Sequence, residues 1–192
     1  MSGPDRRKER QTMRIISGQW RGRKLVAPQG EITRPTADRT RETLFNMLAS
    51  RLGTFDGLQV ADLFAGSGAM GLEALSRGAG HCLFAEQDNQ ALKAIRTNIA
   101  ALDASGQSDV RAGSVLALGP ADKARDLLLL DPPYNTGAAG VALDRLLRLG
   151  WIDEASWIAV ETAAAEQVAV KGLQIETERK VGKAKITLLR ME

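Results

Sequence analysis

The stretch Val60-Ala-Asp-Leu-Phe-Ala-Gly-Ser-Gly-Ala-Met-Gly71 decides the fold of this 192-residue chain. It begins in an apolar run, residues 58–65, and a helical pattern follows it from Leu72 onwards. Between the run and the helix stand three glycines in G-x-G-x-x-G spacing: Gly66, Gly68 and Gly71. Such glycines permit a tight turn, let a ligand approach the backbone and let the helix pack closely on the strand. The stretch therefore predicts a strand, a turn and a helix whose free N–H groups favour an electron-rich ligand.

The residues around this turn narrow the kind of ligand. Asp62 stands inside the predicted strand, four residues before Gly66, whereas a dinucleotide-binding strand usually runs apolar into its first glycine. Glu86 ends the next predicted strand, twenty residues after Gly66, where an acid binds a ribose diol. Ser114 and Val115 end the third predicted strand and are placed to bracket an adenine. An ordinary glycine-rich turn and a surface acid are the alternative interpretations, since the glycines alone do not separate methyltransferases from dinucleotide enzymes.

Strand and helix patterns alternate along the rest of the chain. Four consecutive leucines at 127–130 are typical of a strand buried in a parallel sheet, and residues 173–190 alternate around Gly182 as a closing hairpin. Alternation of this kind predicts a doubly wound α/β fold.

Composition excludes several classes of protein. Hydrophobic residues make up 44% and charged residues 26% of the chain, and no apolar run approaches the ~20 residues of a membrane span. The single cysteine, Cys82, has no disulfide partner in the chain, which favours a reducing cytoplasm. With His81 as the one histidine, we expect no Cys/His metal site and no histidine-based triad.

Charge is distributed unevenly along the chain. Residues 1–41 contain eleven Lys and Arg against four acids, a net charge of +7, whereas the other 151 residues contain fifteen against nineteen, a net charge of −4. This asymmetry predicts a polyanionic partner for the N-terminal region. Residues 1–12 show no periodicity and are predicted to be a disordered basic tail.

Residues 13–35 are predicted to be a small β-hairpin and a linker. Two short apolar runs flank the glycine-bounded turn Gly18–Gly22, and basic side chains stand beside an aromatic residue. Cations neutralise phosphates and aromatic rings stack on bases, so this composition suits RNA. The alternative for Trp20 is packing of the hairpin against the body. The predicted RNA-binding residues are Arg14, Trp20, Arg21, Arg23, Lys24 and Arg34.

The second decisive stretch is Asp131-Pro-Pro-Tyr134, directly after the four leucines. Ligands of open α/β sheets bind beyond the carboxyl ends of strands, so this tetrad is predicted to lie near the glycine turn if the two strands are neighbours. Prolines stiffen the loop and lack N–H groups, which leaves carbonyl acceptors. With the Asp131 carboxylate and the Tyr134 ring, the loop suits a planar base that bears an exocyclic amine. A rigid turn with Tyr134 packed inside is the alternative.

Together these motifs resemble a known family. The blocks at 62–68 and 131–134 resemble the class I S-adenosylmethionine-dependent amino-methyltransferases. The blocks at 14–25 and 34–46 narrow the resemblance to the RsmD family of bacterial 16S ribosomal RNA guanine-N2 methyltransferases, over residues 13–191. Ser17 departs from the pattern, which has glycine there, and residues 1–12 match no part of it.

The resemblance implies a mostly parallel seven-stranded sheet with helices on both faces, formed by a methyltransferase domain at 36–192, plus the hairpin. It implies transfer of a methyl group from S-adenosylmethionine to a guanine N2 amine of 16S ribosomal RNA, either naked or within a small ribosomal subunit particle, by a cytoplasmic monomer. The 34–46 block is expected to close over the methionine end of the cofactor. Expected cofactor-binding residues are Asp62, Phe64, Gly66, Gly68, Glu86, Ser114, Val115 and Arg41. Expected catalytic residues are Asp131, Pro132 and Tyr134.

Three other functions remain open at this point. A DNA amino-methyltransferase, acting on adenine or cytosine, shares the Asp-Pro-Pro-Tyr tetrad but usually has an extra recognition domain. A nicotinamide-dependent oxidoreductase accounts for the glycines and Glu86 but not for the tetrad. A non-catalytic RNA-binding module accounts for the basic N-terminal region but needs no cofactor pocket.

Overall fold

The computed structural model of the chain describes residues 13–29 and 35–192. The predicted basic tail, residues 1–12, and the predicted RNA-binding residue Arg34 lie outside the described residues. Within the described ranges, no helix combines the length and apolar character that crossing a bilayer requires.

The body of the protein is one sheet covered by helices. The helices are α1 (Pro35–Leu52), α2 (Ala69–Ser76), α3 (Asn89–Ala101) and α4 (Ala138–Arg148). The strands are β1 (Gln59–Leu63), β2 (His81–Glu86), β3 (Ser108–Ala112), β4 (Leu127–Leu130), β5 (Trp157–Ala163), β6 (Leu173–Val181) and β7 (Ala184–Met191). Their order in the sheet is β3-β2-β1-β4-β5-β7-β6. Strands β1 to β5 pair in parallel and β7 is antiparallel to both of its neighbours, so the predicted fold class is confirmed.

Two apolar layers cover the two faces of the sheet. Successive side chains of a strand point to opposite faces, so Leu127 and Leu129 pack in one layer with α1, α2 and α3. Leu128 and Leu130 pack in the other layer with α4. All four leucines are fully buried, which explains why this strand is an uninterrupted apolar run rather than an alternating one.

The glycine-rich turn joins β1 to α2 as the sequence predicts. Gly68 precedes the first residue of α2 and has a φ of 77°, in the left-handed region that favours glycine. Gly71 lies against β2, and a Cβ atom at this position would stand 2.4 Å from the Phe84 ring and 2.6 Å from the Cys82 sulfur. The third glycine therefore permits the close approach of helix to strand.

The N-terminal hairpin is bound tightly to the helical layer. Its two arms pair at an antiparallel bridge between Arg14 and Lys24, where the N–H of Ile15 donates to the Arg23 carbonyl at 3.0 Å and the N–H of Leu25 donates to the Met13 carbonyl at 2.8 Å. The fully buried carboxylate of Glu73, on α2, accepts the backbone N–H groups of Ile16 at 2.8 Å and Ser17 at 2.9 Å. The Asn98 side chain, on α3, both accepts from and donates to the backbone of Val26. Besides its own backbone hydrogen bonds, the hairpin is therefore attached to both α2 and α3.

Candidate active site

A cavity of about 870 Å³ opens at the carboxyl ends of the parallel strands. Its walls come from the segments that follow β1, β2, β3 and β4, together with the N-terminal part of α1, one residue of β5 and the β6–β7 turn. Residues that are more than 100 positions apart in the sequence therefore share one pocket. Open α/β sheets bind their ligands at these carboxyl ends of the strands.

The glycine turn contributes Gly66 to the cavity wall, whereas Asp62 and Gly68 lie behind the wall. Asp62 is fully buried, and its Oδ2 accepts the backbone N–H of Gly71 at 2.8 Å. Burial, together with the charge of Glu86, raises the pKa of Asp62 to about 8. Both residues were predicted to line the cofactor site, but neither lines the cavity: Asp62 supports the turn through the Gly71 N–H, and Gly68 caps α2.

Glu86 is held in place by backbone donors. Its Oε2 accepts the N–H of Gly66, and its Oε1 accepts the N–H groups of Gln87 and Asp88, each at 2.8 Å. These bonds fix the carboxylate at the cavity wall, beside the first glycine of the turn. A carboxylate oxygen has two lone pairs, so Glu86 retains accepting capacity for hydroxyl groups of a ligand.

Phe64 adopts a strained backbone conformation at the rim of β1. Its φ is 61°, a left-handed value that a bulky residue rarely adopts. Such strain is concentrated at functional sites, where the surrounding structure maintains it. The ring of Phe64 is half-buried and lines the cavity. Ser114 and Val115, which follow β3, line the same cavity.

The Asp131–Tyr134 tetrad lies beside the glycine turn because β4 pairs directly with β1. The N–H of Asp131 points to the carbonyl of Leu63 at 3.4 Å, which joins the ends of the two strands. All four residues of the tetrad line the cavity. The loop that follows is held by Glu166, which accepts the N–H groups of Asn135 and Gly137 at 2.7 and 3.2 Å.

Glu161 is a cavity residue that the sequence reasoning missed. It lies on β5, and its Oε1 accepts the hydroxyl of Tyr134 at 2.5 Å. Burial raises the pKa of Glu161, while the Tyr134 bond and the charge of Arg41 act in the opposite direction. Tyr134 as a whole residue is 41% exposed, but its hydroxyl lies against Glu161, and burial together with this bond raises the pKa of Tyr134. The signal available in the sequence was one acid in an otherwise uncharged strand, Trp-Ile-Ala-Val-Glu-Thr-Ala.

Arg41 connects α1 and the hairpin to the cavity. Its side chain is buried and lines the cavity, and its Nη2 donates to the Arg14 carbonyl at 2.5 Å and to Asp38 at 3.1 Å. The N-terminal part of α1 therefore forms one wall of the cavity. This part of α1 belongs to the 34–46 block, which was expected to close over the cofactor. Met13 and Lys183 are further cavity residues that the sequence reasoning did not identify.

The predicted RNA-binding residues of the hairpin are spread along it. Arg14 and Lys24 are exposed and adjoin Met13 at the cavity end. Trp20 and Arg21 lie at the other end, where the Trp20 N–H donates to the Ser76 hydroxyl at 3.0 Å. Trp20 is half-buried against the core, which favours the packing interpretation of this residue. Arg23 is exposed, but its guanidinium donates to the Ala101 carbonyl, at the end of α3, at 2.6 Å.

Comparison with known proteins gives one family over most of the chain. The family described as "Conserved hypothetical protein 95" matches residues 13–190. Ribosomal RNA small subunit methyltransferase D from Escherichia coli (strain K12) is 39% identical over 150 residues, which cover 78% of this chain and 74% of that protein. The protein of the same name from Haemophilus influenzae is 39% identical over 154 residues, covering 78% of each chain.

A solved structure supports this relationship. The structure of yhhF from Escherichia coli superposes with a TM-score of 0.80 at 35% identity, over 94% of this chain and 98% of that chain. The predicted family, fold class and enzyme class are thereby confirmed. The chain belongs to the RsmD family, the methyltransferase family that its four sequence blocks resemble.

Proposed function

We propose that this protein transfers a methyl group from S-adenosylmethionine to the exocyclic N2 amine of a guanine in small-subunit, 16S ribosomal RNA. The observation that supports this most directly is the meeting of two motifs in one cavity. The Asp131–Tyr134 tetrad, suited to a base with an exocyclic amine, faces the same space as Gly66 and Glu86. Relatives named ribosomal RNA small subunit methyltransferase D supply the class of substrate.

The residues around the cavity fit S-adenosylmethionine. Glu86 presents a carboxylate, already oriented by three backbone N–H groups, for the ribose hydroxyls. Ser114 and Val115 would enclose the adenine, while Phe64 and Gly66 line the space between them and the tetrad. The cavity volume of about 870 Å³ lies within the ~300–1,000 Å³ range of small-molecule sites. When bound, S-adenosylmethionine supplies an electrophilic methyl group.

The tetrad would hold and orient the amine. The lone pair of a guanine N2 amine is delocalised into the ring, so the amine is a poor nucleophile. The Asp131 carboxylate and the Pro132 carbonyl are acceptors for the two amine hydrogens, and these bonds would turn the lone pair out of conjugation. The Asp131 carboxylate would also stabilise the positive charge that develops on nitrogen and would take the proton during or after transfer. The exposed Tyr134 ring would stack on the base, which must leave its helix to enter the cavity.

The wider setting belongs to the same proposal. The hairpin and linker at 13–35 would contact RNA, and residues 36–192 would bind the cofactor and the target base. We expect the protein to act in the cytoplasm as a monomer, on 16S ribosomal RNA that is either naked or within a small ribosomal subunit particle.

Labelled methyl transfer tests this proposal. The protein, S-adenosylmethionine with a labelled methyl group and small-subunit ribosomal RNA should give labelled RNA, and mass spectrometry of nuclease digests should find N2-methylguanosine. DNA and NADH, offered in parallel, test the two alternative enzymes. Label in DNA alone, or a rise in melting temperature with NADH and none with S-adenosylmethionine, would contradict the proposal.

The Asp131→Ala variant separates binding from chemistry. We expect it to retain most of the melting-temperature rise caused by S-adenosylmethionine, because Glu86 and Gly66 remain in place. Turnover on small-subunit RNA should fall by ~10² or more, the scale for loss of a preorganised electrostatic group. Near wild-type turnover in this variant would remove the tetrad from the mechanism.

A further inference from the structure

Glu161 faces the cavity and has no part in the chemistry described above. It lies on β5, next to β4 in the sheet, so its side chain reaches the cavity beside the tetrad that follows β4. Its side chain is partly buried, with the Tyr134 hydroxyl bonded to it and the Arg41 guanidinium nearby. A carboxylate in such surroundings has a substantial desolvation cost, which its hydrogen bonds must offset.

The position of Glu161 relative to Tyr134 is well defined. The Tyr134 hydroxyl donates to Glu161 Oε1 at 2.5 Å, so the carboxyl group lies at the edge of the tyrosine ring. A base stacked on that ring lies within van der Waals distance of its face, which allows one edge of the base to come within hydrogen-bond reach of the same carboxyl group. The guanidinium of Arg41 is near enough to act electrostatically on Glu161.

A carboxylate accepts about four hydrogen bonds, and the Tyr134 hydroxyl takes one of them. Guanine presents an N1–H donor directly beside its N2 amine, whereas adenine has an acceptor at N1. Of the two purines, guanine alone can therefore place a donor beside a carboxylate while its amine is held by the tetrad.

We propose that Glu161 is a specificity-determining residue that accepts the N1–H of the target guanine. The inference rests on the proposed function, because it requires that a guanine N2 amine is held at Asp131. In this arrangement Tyr134 has two roles, since its ring stacks on the base and its hydroxyl positions the carboxyl group. A purine without an N1 donor would leave that carboxyl group without its partner, which is how a buried polar site rejects a wrong substrate.

The test uses 2-aminopurine, which keeps the N2-position amine but has an acceptor at N1. The methylated guanine is first mapped on small-subunit RNA, and two ligated RNAs are then made, with guanine or 2-aminopurine at that nucleotide. We expect Glu161→Ala to lower kcat/KM on the guanine RNA by about 10–100-fold, the scale for a hydrogen bond to a charged group. Its kcat/KM on the 2-aminopurine RNA should not fall below that of the wild type, because this base has no N1 donor for Glu161 to accept. The comparison of variant with wild type on each RNA cancels the intrinsic reactivity of the two amines.

Tyr134→Phe is the matched control, because it removes the bond to Glu161 but keeps the ring and the carboxyl group. It should retain most of the discrimination between the two RNAs. If Glu161 merely supports Tyr134, Glu161→Ala and Tyr134→Phe should instead lower kcat/KM on both RNAs by the same factor, and that result would overturn the inference.

Two further outcomes keep the inference distinct from the proposed function. Should Glu161→Ala fail to fold, Glu161→Gln keeps the shape with a weaker, neutral acceptor and should reduce the discrimination by about tenfold. Unchanged discrimination in that variant would also overturn the inference. A wild-type protein that methylates both RNAs with equal kcat/KM contradicts only the role of Glu161, whereas failure to methylate the guanine RNA contradicts the proposed function itself.

Discussion

At the scale of single residues, Asp62 shows how the glycine turn is maintained. The carboxyl group is fully buried, and one of its oxygens accepts the Gly71 N–H, while the other has no hydrogen-bond partner among residues 13–29 and 35–192. Burial raises its pKa to about 8, so the folded protein binds a proton there at pH values at which the unfolded chain has released it. The stabilising contribution of this proton is complete below the ordinary aspartate pKa and is lost as pH rises through about 8.

Replacement of Asp62 by asparagine should remove this pH dependence. Asparagine keeps an oxygen for the Gly71 N–H but has no proton to lose. Between pH 6 and pH 8 the free energy of unfolding of the wild type should fall by about 2 kcal/mol relative to that of Asp62→Asn, at about 1.4 kcal/mol per pH unit. Denaturant unfolding at several pH values measures this difference, with Asp103→Asn as the same change at an exposed aspartate. Parallel pH profiles for wild type and Asp62→Asn would contradict the proposed origin of the pKa shift.

At the scale of elements, the glycines of the β1–α2 turn have separable functions. Gly66 lines the cavity, has a φ of 57°, and a Cβ atom there would meet nothing within 4 Å. At Gly71 a Cβ atom would meet the Phe84 ring at 2.4 Å and Cys82 at 2.6 Å. The first position therefore faces ligand space and the third faces the core.

Alanine at Gly66 should mainly affect cofactor binding, whereas alanine at Gly71 should mainly affect the stability of the fold. Gly66→Ala should lower stability by only ~1 kcal/mol, from the left-handed backbone, but should reduce the rise in melting temperature caused by S-adenosylmethionine. Gly71→Ala should lower stability by several kcal/mol, because α2 must move away from β2. Thermal unfolding with and without S-adenosylmethionine measures both quantities. An unchanged cofactor effect in Gly66→Ala would exclude Gly66 from the binding surface.

The buried carboxylate of Glu73 makes two of the hydrogen bonds that attach the hairpin. Glu73 accepts two hairpin N–H groups and pairs with Arg77 at 2.9 Å, and the Arg77 guanidinium stacks on the Phe45 ring at 4.9 Å. Glu73→Ala should lower the free energy of unfolding by ~3–5 kcal/mol, because it leaves a largely buried charge without its partner. The amides of residues 15–17 should exchange hydrogen faster than in the wild type. Glu42→Ala, at an exposed site on α1, is the control, and equal exchange in both variants would show that Glu73 does not hold the hairpin.

At the scale of the whole molecule, the charges of the hairpin point to a polyanion. Arg14 and Lys24 face each other across the bridge, and like charges in this position are mutually destabilising. Both are exposed at the cavity end of the hairpin. Binding of RNA phosphates would relieve this repulsion.

Reversal of both charges should weaken RNA binding. Because both residues become glutamate, the repulsion between the two positions in the hairpin is kept. In Arg14→Glu/Lys24→Glu the affinity for small-subunit RNA should fall, and its dependence on log salt should flatten by about 0.7–0.9 per lost phosphate contact. Binding of S-adenosylmethionine should change little. The control is Lys123→Glu/Lys171→Glu, which gives the same change in net charge. Both lysines are exposed and precede β4 and β6, at the end of the sheet opposite to the cavity. Equal loss of affinity in the two double variants would mean that only net charge matters.

The order of strands and helices, the glycine turn and the position of the tetrad were determined by the sequence itself. These features depend on local physics: apolar periodicity selects strand or helix, glycines permit left-handed backbone, and prolines stiffen a loop. Because β4 pairs with β1, the two motifs predicted from separate stretches meet in one cavity. The family resemblance rests on the same local blocks.

Only the tertiary structure decided which distant side chains meet. Glu161 contacts Tyr134 across 27 positions, and Glu73 holds backbone groups 56 and 57 positions away. Neither acid belongs to a local pattern, since each is a single charge within an apolar element. Asp62 was predicted to contact the cofactor, yet it is buried behind the turn, because its carboxyl group is needed by the Gly71 N–H. Sheet order and helix packing set such contacts, and short-range periodicity contains no information about them.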